Sequence, residues 1–119
     1  MGDRANVLVR ESSTDPGVWL YTHWHGHELP QIVQDALASS AGAGRFSDTP
    51  YLTRIIFEEM LSHTTDKETG FGISSFMTDN SYPIIVVTAG ESVGYMSEGE
   101  TEPYVTWTRE QFVEREAKW

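Results

Sequence analysis

Apolar positions along the chain change period several times, and each change marks an element. Residues 5–10, Ala-Asn-Val-Leu-Val-Arg, and 17–24, Gly-Val-Trp-Leu-Tyr-Thr-His-Trp, are β-branched and aromatic runs separated by Glu11-Ser-Ser-Thr-Asp-Pro16, a cluster of turn formers, and together they predict a β-hairpin. A period of two puts Val18, Leu20 and Thr22 on one face of the second strand and Trp19, Tyr21 and His23 on the other. Bulk on both faces predicts a strand that is central or covered. After Gly26 the period becomes helical, with Leu29, Ile32, Val33, Ala36 and Leu37 recurring at i, i+3, i+4, i+7 and i+8. Pro30 suits the first turn of this helix, Glu28 complements the positive end of its dipole, and Ala41-Gly-Ala-Gly44 ends it. A second helix is predicted from Asp48-Thr49-Pro50, a capping side chain followed by Pro, to about His63, with Leu52, Ile55, Ile56, Met60 and Leu61 inward.

The polar stretch Thr64–Gly70 has no periodicity and reads as a loop. Strands are predicted at 71–77, 84–88 and 93–96, the first two flanking the turn Asp79-Asn-Ser81 and the last two joined by Ala89-Gly-Glu91. The uninterrupted apolar run 84–87 predicts a strand buried on both faces. Glu98-Gly-Glu-Thr-Glu102 is an acidic linker, after which Thr108 and Gln111 fit the capping box of a final helix bearing Phe112 and Val113. The expected architecture is a single α+β domain over residues 1–119, a largely antiparallel sheet covered by helices in the order β-β-α-α-β-β-β-α.

Charge narrows the partners. With 18 Asp or Glu against 8 Lys or Arg in 119 residues, the net charge of -10 argues against direct binding to nucleic acid or to an anionic membrane. Cysteine is absent, which removes disulfides, thiol nucleophiles and thiolate metal ligands. No apolar run reaches the roughly 20 residues of a membrane span, and the opening residues lack the order of a signal peptide, so a cytoplasmic protein is expected.

The conspicuous chemistry lies in Thr22-His-Trp-His-Gly-His-Glu28. Were the strand to continue, His23, His25 and His27 would project from one face, as a zinc site with an open water position needs, with Glu28 or His63 as a further ligand or base. The other placement leaves His23 in the sheet and puts His25 and His27 in the turn before the first helix. The segment is similar over seven residues to the Thr-His-x-His-x-Asp-His motif of metallo-β-lactamase-like hydrolases, but His27 stands where that family has Asp and Glu28 where it has His. A chain of 119 residues is also too short for that family's two-sheet sandwich. Motifs for a nucleophile elbow, a P-loop or a dinucleotide fingerprint are absent, and no catalytic residue is assigned. Aromatic residues are abundant: Trp19, Tyr21 and Trp24, beside His23, are candidate binding residues, and Trp107 and Trp119 are candidates for an interface. Glu98, Glu100 and Glu102 form a candidate acidic patch able to steer a basic partner.

The opening Met1-Gly-Asp-Arg-Ala-Asn6, together with Val18–Trp24, Glu28-Leu-Pro30, Tyr51–Phe57, Gly70–Ser74 and the Asp79-Asn80 to Val87 segment, resembles a group of small uncharacterised proteins from bacteria and their phages. In that group His23, Trp24 and Gly26 are typical, whereas His25 and His27 are not. The resemblance implies a small acidic phage accessory protein in the host cytoplasm that binds and inhibits a host or defence protein. The alternatives are a homo-oligomer that sequesters a small signalling molecule, a structural subunit, and last a metal-dependent hydrolase built on the His cluster.

Overall fold

The two most apolar runs of the chain pair with each other. In the computed structural model, described for residues 2–63 and 70–119, strand β1 (Ala5–Arg10) lies parallel to β4 (Ile84–Thr88), and every residue of both strands is buried. On one side β2 (Val18–Thr22) pairs antiparallel with β1, and β3 (Phe71–Ser74) with β2. On the other, β5 (Ser92–Met96) and β6 (Val105–Trp107) continue antiparallel from β4, giving a six-stranded sheet in the order β3-β2-β1-β4-β5-β6. The fold is α+β and the sheet is largely antiparallel, with one parallel pair at its centre.

Alternation along each strand decides what covers it. Val7, Val9, Leu20, Ile85, Val87 and Val93 point to the helical face and form the main core. There they meet Leu29, Ile32, Val33, Ala36 and Leu37 of α1 (Leu29–Ala38), Leu52, Ile56 and Met60 of α3 (Thr49–Leu61), and Phe112 of α4 (Arg109–Glu114). The opposite face holds a second cluster, Leu8, Ile84, Val86 and Met96, against which Trp19 and Met77 pack. Its lid is the connection from β3 to β4, pinned to the sheet by the fully buried Asn6. The Asn6 amide nitrogen donates to the Asp79 carbonyl at 3.1 Å and to Asn80 Oδ1 at 3.2 Å, and its oxygen accepts from the Thr78 hydroxyl at 3.3 Å. A buried amide with these partners costs little, whereas an unsatisfied one costs on the order of 1–3 kcal/mol.

Among the described residues the helices cover one face of the sheet, as the expected helix-covered sheet allows. Several other expectations need correction. Ser40–Gly44, expected as the end of the first helix, forms its own short helix, α2, because the Ser39 hydroxyl accepts from Gly42 N at 3.0 Å and restarts the turn. The strand β6 was not anticipated, and β3 stops at Ser74 rather than residue 77. Asp48 stands at the start of α3, but its carboxylate turns to Arg45 at 3.3 Å instead of capping the helix. The loop expected over Thr64–Gly70 lies, except for Gly70, outside the described residues. At α4 the capping box is as expected: Gln111 N donates to Thr108 Oγ1 at 3.1 Å and Thr108 N to Gln111 Oε1 at 3.0 Å.

Leu61, expected inward, falls in the last turn of α3 and is 42% exposed, whereas Leu52 is fully buried. Leu52→Ala should therefore destabilise the fold by about 2–5 kcal/mol, and Leu61→Ala by no more than about 0.5 kcal/mol. Urea unfolding of the two variants checks this, and equal losses would contradict the assignment of the core.

Candidate functional site

β2 ends at Thr22, whose hydroxyl accepts from His25 N at 3.1 Å and turns the chain into a 3-10 turn at Gly26–Glu28. The strand therefore does not run on through the histidines, and the convergence expected of a zinc site is not formed. His23 Nδ1 lies 2.9 Å from the Tyr21 hydroxyl, His25 Nδ1 lies 2.6 Å from Glu28 Oε2, and His27 Nδ1 meets the Asp3 carboxylate. Among the described residues no three His, Asp or Glu side chains come together to hold a metal ion. His63 instead sits 3.7 Å from Glu59.

The turn is held from three distant parts of the chain. Gly26 N donates to the Asp3 carbonyl at 2.8 Å, and the Trp119 indole donates to the Gly26 carbonyl at 2.9 Å. Trp119 stacks on Tyr82 at 4.9 Å, and the Tyr82 hydroxyl donates to Asp3. No side chain fits at residue 26, because a Cβ would lie 2.6 Å from the Asp3 carbonyl oxygen and 2.7 Å from the Tyr82 ring.

Beside this turn, at the β2–β3 end of the sheet, Tyr21, His23, Trp24, Gly70 and Phe71 line an open hollow of about 310 Å³. His23 N donates to Gly70 O at 2.9 Å, which extends the strand pairing by one residue and brings Trp24 over Gly70. Gly70 has φ +102°, and a Cβ there would press on the Trp24 ring at 3.2 Å. The His23 and Trp24 rings meet edge to face at 4.7 Å, and His25 stacks on Phe71 at 5.4 Å. Trp24 is 46% exposed, and over the neighbouring Gly72 a Cβ would meet nothing within 4 Å. Burial raises the pKa of the Tyr21 phenol, opposed by the nearby Arg4, so Tyr21 is a neutral hydrogen-bonding group at the hollow's edge.

Of the binding residues expected from sequence, Tyr21, His23 and Trp24 are brought together. Trp19 is not among them; it packs on the second apolar cluster with Leu8 and Met96. Trp107 and Trp119, expected at an interface, pack within the molecule: Trp107 meets Tyr95 at 5.0 Å and the Arg115 guanidinium at 4.3 Å, and Trp119 anchors the turn. Glu98, Glu100 and Glu102 are exposed on the β5–β6 connection, away from the hollow, and none forms an ion pair among the described residues. Sequence reasoning missed Phe71 and Gly70, whose signal was the Gly-Phe-Gly pattern at 70–72. It also missed Asp3, Tyr82 and Trp119 as anchors. Among the described residues no helix is long and apolar enough to cross a membrane.

Both carboxylates of the turn have lowered pKa values. Burial pushes Asp3 upward from its ordinary 3.8, but the hydrogen bonds from Tyr82 and His27 together outweigh it. For Glu28, ordinarily 4.5, the hydrogen bond from His25 is the largest influence and outweighs burial. A group whose folded pKa is depressed contributes stability that is present above its unfolded pKa and lost as pH falls through the folded one. The urea midpoint should therefore fall as pH drops below about 4–5. An Asp3→Asn, Glu28→Gln variant should be less stable at pH 6, with a flatter acid decline; equal slopes would refute the assignment. Compared with known proteins, no family model matches the chain, and no curated protein or solved structure matches it.

Proposed function

We propose that the protein acts by binding rather than by catalysis, and that the hollow receives the planar ring of a small molecule. The observation that carries this reading is the grouping of the Tyr21, His23 and Trp24 side chains around an opening of about 310 Å³ that Gly70 and Phe71 also line. That is the low end of the roughly 300–1,000 Å³ typical of small-ligand sites. Aromatic walls offer stacking and edge contacts to a flat ring, and the Tyr21 and His23 polar atoms supply orientation. An edge suited to self-association fits the same reading: β3 is a sheet edge carrying Ile73, 62% exposed, with Phe76, 64% exposed, just beyond it, and an edge strand without charges can pair with a second copy.

The test is a fluorescence titration of the protein with a panel of free nucleobases and nucleosides, alongside native mass spectrometry of the protein as purified. Saturable quenching is expected with at least one ring, weakened about tenfold or more in Trp24→Ala and unchanged in Trp19→Ala. Bare protein in the mass spectrum, together with no saturable quenching across the panel, would sink the reading.

A second reading is favoured by the β5–β6 connection. Glu98, Glu100 and Glu102 stand exposed, without ion-pair partners among the described residues, in a chain of net charge -10, which suits electrostatic capture of a basic host or defence protein in the host cytoplasm. Under it, Glu98→Lys, Glu100→Lys, Glu102→Lys should abolish recovery of a stoichiometric protein partner from a bacterial lysate. Undiminished recovery by the triple variant would remove the acidic connection from the interface.

A further inference from the structure

At the other end of the sheet from the aromatic hollow, one buried cation lacks a counter-charge among the described residues. Among the described residues Arg4, Arg45, Arg54, Arg109 and Lys118 each have a carboxylate within 4 Å, and Arg115 lies over Trp107 and donates to the Tyr95 hydroxyl. Arg10 is different. It is 5% exposed, and its only hydrogen-bonding side-chain partner among the described residues is the Thr88 hydroxyl oxygen, which accepts from Nε at 3.0 Å. A buried guanidinium without an anion is costly, and the chain has acids to spare.

The nearest acids in sequence are turned away from it. Asp15 accepts from Glu11 N at 2.8 Å and Gly17 N at 3.2 Å, which locks it into the β1–β2 turn, and Glu11 is exposed. Gly17, with φ +69°, closes that turn against Arg10: a Cβ there would lie 3.0 Å from Arg10 Cβ. Arg10 pairs in register with Thr88, and Thr88 with Ser92, so the three side chains form a row across β1, β4 and β5 on the face away from the helices. Every member of that row has a donor to spare. The Thr88 hydroxyl, 1% exposed, accepts from Arg10 and finds no acceptor for its own proton among the described residues, and Ser92 has no side-chain hydrogen bond there. The only sealed and unpartnered side-chain nitrogen or oxygen among the described residues is Arg4 Nε, so the terminal nitrogens of Arg10 reach the surface. The row also sits at the C-terminal ends of the one parallel pair. There β1 and β4 turn away in opposite directions into separate hairpins, the place in a sheet where chain divergence opens a crevice.

We propose that Arg10, Thr88 and Ser92 form a binding site for the phosphoryl group of a small ligand. The Arg10 fork takes two oxygens, as guanidinium geometry favours, and the two hydroxyls donate to the third. Asn6, level with Tyr21 and the hollow, lies four residues before Arg10 on β1, about 13 Å away at roughly 3.3 Å per residue. This site therefore stands or falls independently of the aromatic hollow.

The decisive experiment follows the Arg10 Nε–Hε signal of the ¹⁵N-labelled protein by NMR during titration with inorganic phosphate, against sodium chloride at matched ionic strength and against acetate. The signal is assigned by its disappearance in Arg10→Lys. A saturable shift with phosphate, not reproduced by chloride, and a dissociation constant raised about tenfold in Thr88→Val are the expected results. Should Arg10→Lys fail to fold, assignment from the backbone of the wild type and the Thr88→Val titration decide alone. No saturable shift, a shift that chloride reproduces, or an affinity unaltered in Thr88→Val would overturn the site. Equal affinity for acetate would overturn the phosphoryl assignment.

Discussion

β1 and β4 are buried on both faces, and the rest of the architecture answers that requirement. Their inner residues Val7, Val9, Ile85 and Val87 meet the helices, but their outer residues Leu8, Ile84 and Val86 also need cover, and among the described residues no helix packs on that side. The chain supplies it with irregular backbone, which carries polar groups that must find partners when they are buried. Asn6 resolves the conflict. A single amide near the start of an apolar strand gives the crossing segment three hydrogen bonds and fixes where it lies. Beyond β5 the same problem has a smaller solution: Pro103 lies close over Gly94, which has no side chain to obstruct it.

Cover of that kind is local, and the candidate sites are found where it stops. Over β3 the sheet is bare at Gly72, so the side chains of Tyr21, His23 and Trp24 border open space, whereas Phe71 turns to the other face and packs on the core. At the far end of the sheet the tight turn at Gly17 and the divergence of the hairpins leave the polar row of Arg10, Thr88 and Ser92 at the margin of the cover. A six-stranded sheet with helices on one face thus differs along its other face from packed centre to open ends.

How much of this could be read from the sequence depended on whether the information was local. α1 and α3 were legible because their apolar stripes repeat at helical spacing, α4 because Thr108 and Gln111 cap each other, and β4 because Ile84–Val87 tolerates no polar residue on either face. The segment Ser40–Gly44 has no apolar stripe, so its helix was hidden, and Val105–Trp107 is too short for alternation to register. Tyr21 and His23 on one face were legible from the period of β2. Phe71 was not, because its place beside Thr22 is set by strand register, which the hydrophobic pattern of a four-residue edge strand does not specify. The histidine spacing left two placements open, and the structure takes the one with His25 and His27 in the turn: a hydrogen bond from His25 N to Thr22 Oγ1 ends the strand, and nothing in the alternation of residues announces it.

The attachment of Trp119 to Gly26 sets an order of assembly. The wall of the hollow at His23 and Trp24 belongs to the first quarter of the chain, yet the turn that follows it is fastened by an indole encoded 93 positions later and by Tyr82, which reaches Asp3 across 79 positions. During synthesis the β1–β2 hairpin can form as soon as it is free, since its contacts are local, whereas the corner holding the hollow in shape must wait until the segments bearing Tyr82 and Trp119 have been made and have docked. A nascent chain would carry the aromatic side chains of the hollow before it carries the hollow's shape, which would be fixed only once Trp119 has docked on Gly26.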